Sequence, residues 1–63
     1  MDQMAKGPVI IADGKGHRIS ENGALSTKID NSRIFETITG LLNRYQEVWF
    51  IDEAVNVHRI AAS

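Results

Sequence analysis

The chain has no cysteine. That excludes disulfide staples and every thiolate metal site. It also suits a reducing compartment, so a cytoplasmic location is expected. Two histidines, His17 and His58, are far apart in sequence and too few to suggest a metal centre, and no cofactor motif stands out. Aromatic residues are sparse: one tryptophan, one tyrosine and two phenylalanines, with none before Phe35. The first half therefore offers no aromatic platform for stacking nucleobases. Apolar runs are short. The longest, 9–12 and 48–51, have four residues each, against about 20 for a membrane-spanning helix. The opening MDQMAKGP holds no apolar h-region, so no secretory signal is expected.

Charge of one sign is lacking too. The net charge is −1. Residues 1–29 carry +1 and residues 30–63 carry −2. A dedicated nucleic-acid binder would show a basic excess, because phosphate contacts supply most of its non-specific affinity.

What is present describes a small globular domain. The chain has 63 residues, of which 43% are apolar, an ordinary fraction for a folded chain. A domain of this size buries only about 60% of the surface of its unfolded chain. Its core supplies no more than roughly 3–5 kcal/mol, and such domains commonly lean on a staple or a partner. With disulfides excluded, self-association, as a dimer, is the expected supplement.

Along the chain, residues 1–7 are polar and mixed and predict a flexible arm; a single domain is expected over 8–63. Val9-Ile10-Ile11-Ala12 is a short apolar strand whose first neighbour, Pro8, suits a strand start. Asp13-Gly14 and Asn22-Gly23 mark two hairpin turns, because glycine there permits the positive φ that tight turns need. Between them lies a strand through His17-Arg18-Ile19-Ser20. After the second turn, residues 24–29 alternate, with Leu25, Thr27 and Ile29 on one side, which predicts a third strand.

Asp30-Asn31-Ser32 supplies three consecutive helix N-cap residue types. Ile34, Ile38, Leu41, Leu42 and Tyr45 then recur at helical spacing, and Phe35 widens the stripe. Gly40 lies inside this helix at a cost of about 1 kcal/mol relative to alanine, so either a neighbour packs closely on it or the cost is tolerated. Val48-Trp49-Phe50-Ile51 is apolar on both faces, as in a strand covered on both sides or one that pairs with another subunit. Asp52-Glu53-Ala54 reads as a turn. Residues 55–60 alternate with a phase break, which a bulge near His58-Arg59 would repair. A short helix over 53–62 is the rival reading, opposed by the β-branched Val55 and Val57. The order is β-β-β-α-β-β, an α+β class in which one amphipathic helix packs on a small antiparallel sheet.

Candidate chemistry is thin. Gly14-Lys15-Gly16 has glycines and a lysine that suit a phosphate, but lacks the longer phosphate-loop pattern and opens no helix, so a hairpin turn is expected. His17 lies beside Asp13 across a turn, and His58 near Asp52 and Glu53. No serine or cysteine is placed as a nucleophile, and no enzyme is expected. Asp52 and Glu53 are adjacent and point apart, so they read as a solvated turn. Lys15, His17, Arg18 and Lys28 would form a modest basic patch for nucleic acid if they shared one sheet face.

The strongest signal is the strand at 48–51, whose apolar residues exceed what one helix can cover. One side, Trp49 and Ile51, is expected against the helix; the other, Val48 and Phe50, toward solvent or another molecule. Val48, Trp49, Phe50, Tyr45 and Ile60 are the expected interface residues. The function this implies is a non-enzymatic adaptor, inhibitor or regulator that self-associates and binds another protein. A small nucleic-acid-binding regulator is the alternative.

Overall fold

A computed structural model describes residues 7–62. The arm expected over 1–7 falls, apart from Gly7, outside the described residues. The elements are β1 (Val9–Asp13), β2 (Gly16–Glu21), β3 (Ala24–Leu25), β4 (Ile29–Asp30), α1 (Asn31–Leu42), β5 (Glu47–Ile51) and β6 (Val57–Ala61). One helix lies on a sheet of six strands, as the α+β reading expects.

Both glycine-marked hairpins form. Asp13 pairs with Gly16 across Gly14-Lys15, and Gly14 takes φ 64°. A positive φ at the first central residue alone is the type II′ pattern. Glu21 pairs with Ala24 across Asn22-Gly23, with φ of 54° and 82°, as a type I′ turn requires. Gly16 has a different reason to be glycine: a Cβ there would lie 2.7 Å from the Ile29 carbonyl oxygen.

The third strand is broken in two. Leu25 pairs with Ser20, but Ile29 pairs with His17, so one extra residue is spent between β3 and β4. This is a bulge. Ser26 bridges it: its amide donates to the Ile19 carbonyl at 2.8 Å, and its hydroxyl accepts the Ile19 N–H at 2.9 Å. Because Ser20 and His17 point to opposite sides, Leu25 and Ile29 do too, contrary to the shared face that simple alternation predicts. Leu25 is 59% exposed, whereas Ile29 packs on the core.

The sheet is mixed, not antiparallel throughout. Its order is β3-β2-β1-β5-β6, with β4 also on β2, and β1 and β5 run parallel. The helix explains this. Twelve residues in α1 span about 18 Å, close to the length of a five-residue strand. They return the chain to the end where β1 began. The next strand then enters beside β1 in the same direction.

β6 is a strand, as the β-branched valines argue, and it needs no bulge. Its register with β5 is continuous from Glu47·Ala61 to Ile51·Val57. The phase break has another origin: Val57 and Ile60 point to opposite faces of the sheet, and Val55 belongs to the preceding turn. There the Asp52 carboxylate accepts the amides of Ala54 and Asn56 at 3.0 and 2.9 Å, and Val55 is held at φ 65°. That is a strained conformation for a β-branched residue.

The core lies between α1 and one sheet face. Ile10, Ile19, Leu41 and Val48 are buried, with Ile29, Ile34, Ile38, Leu42, Tyr45 and Phe50 packed around them. Phe35, which the helical spacing adds to this stripe, is 81% exposed. Nothing within 4 Å approaches the position of a Cβ on Gly40, so its cost is simply tolerated.

Candidate functional site

Strand pairing assigns every side chain to a face, because residues directly across from one another point the same way. Ile10 is level with Ile19 on one side and Phe50 on the other, and Phe50 with His58. Val48 is level with Ile60. These residues, with Ile29 and His17, form the face under the helix. The alternate rows form the other face. One holds Leu25, Ser20, Val9, Trp49 and Arg59. The next holds Arg18, Ile11, Ile51 and Val57. Among the described residues, no element covers this second face.

The strand at 48–51 thus has one uncovered side, but it is the opposite one from the sequence expectation. Val48 is fully buried and Phe50 packs on the core. Trp49 and Ile51 face away from the helix. The strand is also not an edge, since β6 flanks it. Of the five expected interface residues, only Trp49 lies on the open face. Ile60 sits beside Val48 under the helix side of the sheet. Tyr45 packs against the core: its hydroxyl donates to the Glu21 carboxylate and its ring lies 5.5 Å from the Arg44 guanidinium. Glu21 raises the tyrosine pKa, first through this hydrogen bond.

The open face has an apolar centre and a charged rim. Val9, Ile11, Trp49 and Ile51 make the centre, extended by Leu25 and Val57, which are 59% and 60% exposed. The rim holds two matched ion pairs. Arg18 Nε donates to Asp13 Oδ2 at 2.8 Å, and Arg59 Nε donates to the Glu47 carboxylate. The bond from Arg18 also lowers the Asp13 pKa, with Lys28 adding to it. Within these two pairs the charges cancel. An apolar centre inside a polar rim is the composition of a protein interface. Ile11 and Ile51 were readable from their runs, but only the strand register shows that they join Trp49.

Of the four basic-patch residues, Lys15, Arg18 and Lys28 lie around the first hairpin, and His17 is set apart from them. His17 lies under the helix side, Arg18 is on the open face paired with Asp13, and Lys15 and Lys28 are exposed near the first hairpin. His17 therefore does not engage Asp13.

A second group lies at the far end of β1 and β5. A cleft of about 500 Å³ is lined by Ala12, Gly14, Gly16, His17, Asn31, Phe50, Asp52, Glu53 and Ala54. The His17, Phe50 and His58 rings follow one another at 5.4 and 6.0 Å. His58 Nε2 lies 3.0 Å from Asp52 Oδ2. That contact is the main cause of a lowered Asp52 pKa, supported by the turn amides. The Asp52 carboxylate is thus committed to its turn and to His58. His17 Nδ1 is buried without a hydrogen-bond partner. No group of three or more metal-ligating side chains occurs among the described residues, and none of the described helices is long and apolar enough to cross a membrane.

No protein-family model, curated protein or solved structure matches this chain.

Proposed function

We propose that this chain is a non-enzymatic protein-interaction or regulatory module, of adaptor or inhibitor type, that self-associates and receives a protein partner on its open sheet face. One observation carries the reading. Trp49 and Ile51 lie with Val9 and Ile11 on the side of the sheet that no described element covers. A tryptophan at the centre of an apolar patch is a characteristic binding anchor. The matched rim pairs suit a partner whose contact surface is apolar at its middle and mixed in charge around it.

The test compares proteins retained from the source cells by the full chain and by Trp49→Lys. The substitution lies on the open face, so the core under α1 is untouched. The expected result is a retained protein that Trp49→Lys loses at least tenfold, about 1.4 kcal/mol or more. Equal retention by both forms would contradict the proposal.

A further inference from the structure

The two edges of the sheet differ. The edge at β3 and β4 consists of two strands of two residues each, separated by a bulge. Short strands and bulges are the usual protection against unwanted pairing. The edge at β6 has five residues in unbroken register and contains no proline, lysine or bulge. Its polar side chains do not guard it, because Arg59 turns back to Glu47 and His58 to Asp52, both on the β5 side.

Hydrogen-bond parity shows what that edge offers. The amide of Ala62 donates to the Gln46 carbonyl, and the amide of Asp52 to the Asn56 carbonyl. Bonded and non-bonded pairs alternate along an antiparallel ladder. Hence 48·60 and 50·58 are also bonded pairs, and the backbone groups of Val57, Arg59 and Ala61 point outward. The Trp49 amide, bonded to the Pro8 carbonyl on the opposite side of β5, fits the same parity. Among the described residues nothing pairs with these outward groups.

The open face supplies the reason for a second copy. Four strands of five or six residues and a short edge, about 4.8 Å apart, present roughly 400 Å² of flat area at most. A stable interface takes about 800 Å² from each partner. Two sheets joined edge to edge reach that size.

We infer that β6 pairs antiparallel with β6 of a second copy, making one continuous sheet whose open faces lie side by side. A twofold axis through the chain at Arg59 would set two arginines directly opposite, which is unfavourable. An axis at Ile60 keeps the same parity, sets the two Ile60 side chains together and places Arg59 opposite Ala61 of the other copy. The interface is isologous, as a twofold dimer requires. The area argument rests on the proposed partner surface; the edge argument does not.

Sedimentation equilibrium from micromolar to millimolar concentration, with amide exchange on the same samples, tests this. The full chain and Trp49→Lys are expected to dimerise, and Ala61→Pro to remain a folded monomer, because proline removes an outward amide without touching the β5 ladder. In the full chain the amides of Arg59 and Ala61 should slow by about tenfold or more as the dimer fills, while those of His58 and Ile60 are protected throughout. A monomer at every concentration overturns the inference. So does protection of the outward amides that is independent of concentration, which would place the chain's own residues on the edge. A dimer lost in Trp49→Lys would instead put the copies face to face, overturning the edge while leaving the open face as an interaction surface. Should Ala61→Pro fail to fold, the exchange pattern of the unmodified chain still decides.

Discussion

Val55 is the residue least suited to its backbone. It is β-branched, 75% exposed, and held at φ 65° in the turn that Asp52 organises. Non-glycine residues in this region cost on the order of 1–3 kcal/mol. The turn imposes it because the Val55 amide donates to the Asp52 carbonyl while the Asp52 carboxylate holds the amides on either side. Val55→Gly removes the strain and loses little packing, offset in part by the flexibility glycine adds to the unfolded chain. A gain of about 1 kcal/mol in urea unfolding is expected; a loss of stability would show that the Val55 side chain has a packing role. This residue also explains why the start of β6 was hard to read. Val55-Asn56-Val57 has the composition of a strand, and no propensity predicts valine in a left-handed turn.

At the scale of elements, α1 shows how packing overrides propensity. Its apolar stripe holds it on the sheet although Gly40 weakens it and its N-cap residue, Asp30, makes no side-chain capping bond. Gly40 has open space around it, so Gly40→Ala should raise stability by about 1 kcal/mol, measured by thermal or urea unfolding. No gain would mean that a contact at Gly40 needs the missing side chain. The helix itself and both hairpins were legible, since spacing and turn glycines are local signals. The parallel pairing of β1 and β5 was not, although a trace existed: the runs at 9–12 and 48–51 are both apolar on each side, the pattern of neighbouring central strands. The bulge between β3 and β4 left no trace, because the residues around it alternate as an unbroken strand would.

At the scale of the molecule, the deciding feature among the described residues is imbalance: one helix on one side of the sheet, and apolar side chains on both. The sequence shows the surplus, because Val48-Trp49-Phe50-Ile51 is more apolar than one helix can bury. Which alternate pair faces out was not readable, since Val48 with Phe50 and Trp49 with Ile51 are equally apolar choices. Register against β1 decides it. The central claim is that Trp49 stands on a face that no described element covers, and the proposal is that another protein binds there. As the only tryptophan in the chain, it reports on that face without interference. The most direct test is its emission and its quenching by iodide in the full chain, diluted until sedimentation shows a monomer. A long-wavelength emission that iodide quenches is predicted. A blue-shifted emission protected from iodide in that monomer would mean the chain covers its own sheet, and would contradict the account.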